Sequence, residues 1–400
     1  MGEGSAPGGL PYVSLIVVTY NGAHLLGPCL QSLVHLDYPA SRLEVLVIDN
    51  GSTDESAELV RTHFPQVRWL SNDVNNYCRA NNLGVREGRG ALVAFINTDV
   101  QVDSSWLLHL VDALQRDARL AGVTGKTFLG RGPRISSTGH EAVPNHYWRD
   151  RGIWKRDRAL YDEAAEVPGI SGCASLYRRS CLEAIGGLDE AFVMFYEDVD
   201  LGIRCRQRGW RFRYVPGAIA YHQFHGTASD ELGQFFVERN RLLLLAKHDP
   251  TLLPAAWGAS HALAHPEGRG WMASFQGDVY RMLHREHQPA EVERFWPKII
   301  AAHRWATECS WWQRLIAQAR ARAGAVMRRW RRVDPERSSG DAIRAAHRSR
   351  THGLTWRLEQ SGPVPHLIFD ALGDAWTGGI GGEPAVVSQT APVLSGHGAS

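Results

Sequence analysis

Asn97-Thr98-Asp99 closes the strongly apolar run ALVAFIN, and a lone carboxylate just past a buried strand suits a hard cation. Magnesium or manganese prefers oxygen donors, takes one or two carboxylates from a protein and lets substrate phosphates fill the other positions. A second acidic cluster, Glu197-Asp198-Val199-Asp200, follows Phe195-Tyr196 and runs straight into a helical pattern. Asp200 fits the helix start, where the macrodipole favours negative charge, and pairs in register with Arg204. Asp198 is the candidate general base, because a carboxylate beside aromatic bulk gains basicity while remaining ionised at neutral pH; Glu197 supports it. His222, ending the strand-like AIAYH, is a candidate second metal or phosphate ligand, with His225 competing. Asp49 ends the buried run LEVLVID, where it can accept hydrogen bonds from a nucleobase or ribose. Ser52 and Glu55 fit the capping box of the helix that follows, and Asp103 and Ser104 fit the cap of the helix before Trp106.

These residues need a scaffold that brings strand ends together. From Val13 the sequence alternates short, continuously apolar runs (VSLIVVT, LEVLVID, VRWL, ALVAFIN) with helical patterns. That alternation predicts an α/β fold with a mostly parallel sheet covered on both faces by helices. Ligands bind such sheets beyond the carboxyl ends of the strands, where Thr19-Tyr20-Asn21, Asp49-Asn50 and Asn97-Thr98-Asp99 all lie. No G-x-G-x-x-G follows the first strand, which excludes a dinucleotide-binding dehydrogenase. Between Gly130 and Pro168 the pattern breaks, predicting a long, partly ordered loop over the site. Strand-like segments return at Cys173–Tyr177 and at FRYVPGAIAYH, followed by a long helix to His248.

The formal charge of the 400 residues is only +2, so the whole molecule is no nucleic-acid binder. Charge is uneven, however: residues 309–333 carry seven arginines and no acid. Helical spacing there puts Trp312, Leu315, Ile316, Ala319, Ala323, Val326, Met327 and Trp330 on one face, a pattern suited to an anionic membrane surface or to packing on the catalytic domain. Six scattered cysteines without a C-x-x-C argue against zinc and against a disulfide framework. Neither a signal peptide nor an apolar stretch of about 20 residues is evident. The expectation is a cytoplasmic protein, peripheral on the inner face of the membrane. Residues 1–12 read as a disordered lead-in, 13–249 as the catalytic domain, 250–337 as a helical basic extension and 338–400 as a poorly ordered tail.

In order and spacing, VVTYNG, VIDNGSTD, ANNLG, INTDV, SGCASLYRR, MFYEDVDLGIR and Glu238-Arg239-Asn240-Arg241 together resemble glycosyltransferase family 2, with its GT-A fold, and its rhamnosyltransferase-like branch above all. The similarity spans roughly Val13 to His248. It implies inverting transfer of one sugar from a nucleotide-diphosphate donor, thymidine diphosphate rhamnose or a uridine diphosphate hexose, to a glycan or lipid-linked hydroxyl in cell-surface polysaccharide synthesis. By this resemblance Thr19, Tyr20, Asn21, Asp49, Asn50, Asn81, Asn97 and Thr98 contact the nucleotide sugar. Asp99 and His222 hold Mg2+ or Mn2+, Asp198 deprotonates the acceptor beside Glu197, and Gly172 and Trp210 lie on the acceptor side. Two segments depart from the family pattern. The usual Asn-x-Gly-Phe is here Asn75-Asn76-Tyr77-Cys78, which also leaves open a catalytically degenerate sugar-nucleotide binder or scaffold. Gln207-Arg208-Gly209-Trp210 replaces the Gln-x-x-Arg-Trp of processive members, favouring single additions.

Overall fold

A computed structural model of the chain describes residues 9–223, 230–260, 262 and 268–308. The chain runs through β1 (Val13–Thr19), α1 (Ala23–Val34), β2 (Leu43–Asp49), α2 (Ser56–His63), β3 (Arg68–Ser71), α3 (Tyr77–Glu87), β4 (Leu92–Asn97), β5 (Val100–Val102) and α4 (Trp106–Arg116). It continues through β6 (Leu120–Leu129), β7 (Ile135–Ser137), β8 (His140–Val143), β9 (Tyr147–Asp150), β10 (Ala165–Val167), β11 (Ala174–Arg178), α5 (Arg179–Ile185), α6 (Glu197–Gln207) and β12 (Arg211–His222). Four helices follow: α7 (Asp230–His248), α8 (Leu253–Gly258), α9 (Gly268–Glu286) and α10 (Pro289–Glu308).

The main sheet has the order β10-β12-β6-β11-β4-β1-β2-β3, with β5 on β12 and β7 on β6. Strands β1 to β4 are mutually parallel; β11 runs antiparallel between β4 and β6, and β12 lies parallel to β6. Every residue of β1 is buried, and its alternate side chains enter two cores. Ile16 and Val18 face one with Leu46, Ile48, Val93 and Phe95; Leu15 and Val17 face the other with Val45, Val47, Ala94 and Ile96. Burial on both faces explains the uninterrupted apolar runs, each buried Ile or Leu contributing about 1.5–3 kcal/mol. Register then aligns the polar ends: Thr19 pairs with Asp49, Asp49 with Ser71 and Val18 with Asn97.

The stretch expected to be a loop between Gly130 and Pro168 instead carries β7, β8, β9 and β10. These strands are three or four residues long: β7 pairs with the end of β6, β8 with β9 in a separate hairpin, and β10 with the distant β12, so no alternation long enough to signal them exists in the sequence. The caps differ as well. Asp54, rather than Ser52, serves the start of α2 by accepting from Ser56 N at 3.1 Å, while Ser52 Oγ accepts from Asn21 N at 2.8 Å. Before α4, Ser104 Oγ donates to Asp37 at 2.6 Å instead of capping.

The composition shift at Pro250 is not a boundary in the packing. Trp257, Met272, Phe275, Leu283 and Ile299 from α8, α9 and α10 share one core with Ile16, Phe95 and Val199. Among the described residues no helix is long and apolar enough to cross a membrane. The basic 309–333 stretch, the 338–400 tail and His225 lie outside the described residues.

Candidate active site

At the carboxyl end of the parallel strands, the turns after β1 and β2 are stitched together. Asn21 adopts a left-handed φ of 50° and its Oδ1 accepts from Thr53 N at 2.8 Å. Asp49 is buried, its Oδ1 accepting from Ser52 N at 2.9 Å; Asn50 N donates to the Thr19 carbonyl, and Asn50 Oδ1 accepts from Asn72. Thr19 Oγ1 is buried without a hydrogen-bond partner, and Tyr20 stands half exposed beside it. A Cβ on Gly22 would sit 2.9 Å from that hydroxyl and 3.8 Å from Thr98, so the glycine keeps this corner open between the two turns. Asn81 is more remote from solvent than expected: it is fully buried on α3, and its amide donates to the Tyr77 carbonyl one turn back.

Between β4 and β5, Asp99 is buried, with Oδ2 3.2 Å from His222 Nε2 and Oδ1 lacking any hydrogen-bond partner. The two residues meet because β5 pairs antiparallel with the end of β12, placing His222 opposite Val100. Ser136 Oγ lies 3.1 Å from the other ring nitrogen of His222. A buried carboxylate oxygen without a partner next to an imidazole is a donor set that fits a divalent cation. Among the described residues no group of three or more His, Cys, Asp or Glu converges, so the protein's share of such a site is this pair.

The base candidate opens α6. Asp198 Oδ2 accepts from Gly172 N at 2.9 Å and lies 3.3 Å from His140 Nε2, while Oδ1 accepts from Val199 N at 2.8 Å. Burial opposes its charge, but His140 and the two N–H groups win and hold the carboxyl below the usual range, so Asp198 is ionised at neutral pH. Glu197 is pushed the other way, well above the ordinary range, by burial and then by the charge of Asp198. Adjacent carboxyls whose environments drive their proton affinities apart are the mark of divided acid–base roles. Tyr77 completes the group, donating to Asn97 Oδ1 at 2.9 Å and lying 3.2 Å from the Gly172 carbonyl. A Cβ on Gly172 would lie 3.5 Å from Tyr77 Oη, 3.7 Å from Glu197 Oε1 and 3.8 Å from Asp198 Oδ2, so the three polar groups converge on its Cα.

Asp200 takes the structural part expected of it: Arg204 Nε donates to it at 2.7 Å, joined by His248 at 2.8 Å and Lys247 at 3.0 Å. Trp210, expected on the acceptor side, lies away from Asp198. It follows α6 at the end opposite Asp198, about 16 Å along a helix of this length, and Arg211 beside it pairs with the start of β6.

Three residues near the chemistry escaped the sequence reading. His140 and Asp150 are directly opposed in the β8–β9 hairpin, and the half-buried Asp150 is close enough to His140 and His222 to feel their charge. Tyr77 was visible only as a departure from a pattern. No local spacing links any of them to Asp198; the hairpin and α3 bring them there.

The family model for glycosyl transferase family 2 matches residues 14–186. The N-acetylglucosaminyl-diphospho-decaprenol L-rhamnosyltransferase of Mycobacterium tuberculosis is 32% identical over 244 residues, covering 54% of this chain and 78% of that protein. The probable glycosyltransferase YdaM of Bacillus subtilis is 26% identical; the match covers 54% of this chain and about half, 51%, of that protein. Among solved structures, that of GalNAc-T7 with UDP, GalNAc and Mn2+ is similar at a TM-score of 0.50 and 14% identity, covering 72% of this chain and 58% of that one, a likeness of fold.

Proposed function

Because this chain belongs to glycosyl transferase family 2, we propose that it transfers one sugar, with inversion, from a nucleotide-diphosphate donor to an acceptor hydroxyl, Asp198 acting as base. The observation that carries this reading is the pair at the start of α6: Asp198 accepts from Gly172 N and Val199 N and lies 3.3 Å from His140 Nε2, beside a Glu197 whose carboxyl burial pushes up. The stitched turns around Thr19, Asn21, Asp49 and Asn50 hold the nucleoside end of the donor. Asp99 and His222 would hold a divalent cation, which when bound would supply charge neutralisation for the donor diphosphate. Asp198 takes the acceptor proton as the acceptor oxygen bonds to the anomeric carbon and the bond to the leaving diphosphate breaks. Glu197, its carboxyl pushed up by burial, stands beside Asp198, and the small Gly172 leaves space for the acceptor.

The donor we favour is thymidine diphosphate rhamnose, followed by uridine diphosphate hexoses, with a glycan or lipid-linked acceptor, since the relative from M. tuberculosis is named an L-rhamnosyltransferase of a diphospho-decaprenol substrate. The arginine-rich sequence at 309–333 suits an anionic membrane surface carrying such acceptors, which vesicle co-sedimentation with and without it would check. The decisive experiment is transfer from a panel of nucleotide sugars with manganese or magnesium, comparing the wild type with Asp198→Asn. Full activity in that variant overturns the base assignment.

A further inference from the structure

The β8–β9 hairpin stands outside the main sheet, yet it sends one side chain into the base. His140 is buried, with Nε2 3.3 Å from Asp198 Oδ2, the oxygen that also accepts from Gly172 N. Its main-chain N–H donates to the Gly169 carbonyl at 3.0 Å, and a Cβ on Gly169 would meet His140 Nδ1 at 2.9 Å. Only glycine there lets the ring lie flat against the chain. The hairpin is itself fastened from three directions. Trp148 N donates to Tyr196 Oη at 3.0 Å, two residues before Asp198. Tyr147 Oη donates to Glu238 at 2.6 Å, and the fully buried Arg241 stacks over the Tyr147 ring at 4.2 Å. These contacts hold the hairpin that carries the ring, and since Nδ1 is buried without a hydrogen-bond partner, Asp198 is the polar side chain the ring meets.

We propose that His140 is the positioning residue of the base: seated against Gly169 and opposite Asp150, it fixes the orientation of the Asp198 carboxylate and keeps that carboxylate charged. The inference rests on Asp198 being the base. The titratable groups around the pair are Glu197 and Asp200 from α6, Asp150 from β9, Tyr77 and Cys78 from α3, Cys173 and Tyr177 at β11, and Tyr196 before α6. Of these only Asp150 sits across from His140 in the hairpin; burial opposes charge on the ring, while Asp198 and, after it, Asp150 favour it.

The test is the pH dependence of kcat/KM in the full chain with the best donor of the panel. His140→Gln keeps a donor near Asp198 but removes the charge. An opposite charge at this range holds a carboxyl down by about one to three pH units, so the acid limb should rise by about one unit or more. Activity at neutral pH should fall about ten- to a hundredfold and recover in large part as the pH is raised, with nucleotide affinity within about twofold of wild type. If His140→Gln does not yield folded protein, Gly169→Ala displaces the ring without deleting it and should shift the limb the same way by less. An unmoved acid limb, or a loss that higher pH does not restore in a variant that still binds nucleotide, overturns the proposal. Asp198→Asn separates the two ideas. If it is active, the base reading fails; if it is inactive while His140→Gln leaves the limb in place, only the role of His140 fails.

Discussion

Replacing Asn240 by alanine should slow transfer from a distance, because this buried amide clamps the turn that presents the base. Its Nδ2 lies 2.8, 2.7 and 2.7 Å from the carbonyls of Phe192, Met194 and Phe195, and the residue has no solvent exposure. The turn it holds contains Val193, Phe195 and Tyr196 at φ of 65°, 64° and 66°. For residues with a Cβ that left-handed conformation costs about 1–2 kcal/mol each, or about 3–6 kcal/mol for the three. Two amide N–H groups return about 1 kcal/mol apiece, and deleting them leaves carbonyls buried without partners at a further cost of about 1–3 kcal/mol. The expected destabilisation is therefore about 3–5 kcal/mol, comparable to the strain itself, so the turn is free to relax. Tyr196 leads directly into Glu197-Asp198, and a displacement of about 1 Å at a catalytic group can cost about a hundredfold in rate. Denaturant unfolding should show the stability loss, and kcat should fall about ten- to a hundredfold with nucleotide affinity preserved, since the turns after β1 and β2 are untouched. If stability falls as calculated while kcat holds, the clamp does not position the base. If neither changes, the hydrogen-bond assignment of Asn240 is wrong.

Asp99→Asn should abolish the manganese- or magnesium-dependent rise in melting temperature with a nucleoside diphosphate while leaving the ligand-free protein within about 1 kcal/mol of wild type, because Oδ1 makes no hydrogen bond to lose. An undiminished metal-dependent rise would contradict the Asp99–His222 site. Gly172→Ala places its methyl at ordinary contact distances of 3.5–3.8 Å from Tyr77, Glu197 and Asp198, so the protein should fold with an unchanged melting temperature. The methyl should nonetheless raise the acceptor KM about tenfold or more, leaving donor KM alone, and equal effects on both substrates would refute that placement. Asp189 is held well below the ordinary carboxylate range, against burial, by Arg285 and by Lys247 Nζ at 2.6 Å. A depressed carboxyl contributes stability that is complete above the unfolded value near pH 4 and lost as pH falls below it. Asp189→Asn should accordingly cost about 2 kcal/mol at pH 7, discounted for the half-exposed Arg285, with the gap to wild type closing in acid; a pH-independent gap in urea midpoints would count against the ion pair.

Several features followed from the sequence because they depend on local periodicity. The runs VSLIVVT, LEVLVID and ALVAFIN could bury both faces only as central parallel strands, and polar residues ending them had to meet at one edge of the sheet. The acids before LGIRCRQRG had to open a helix, and Asp200 had to find Arg204 one turn on. Tertiary structure decided what spacing could not encode. His222 reaches Asp99 only because β5 pairs with the end of β12, and His140 reaches Asp198 only because a hairpin of four-residue strands is fastened to Tyr196 and Glu238. Trp210 illustrates the converse: nearness to Asp198 along the chain becomes three turns of separation once α6 forms. Which of two adjacent acids is pushed up and which is held down was likewise beyond the sequence. That choice depends on which of them meets an imidazole and two N–H donors from distant segments, and only the folded chain brings those groups together.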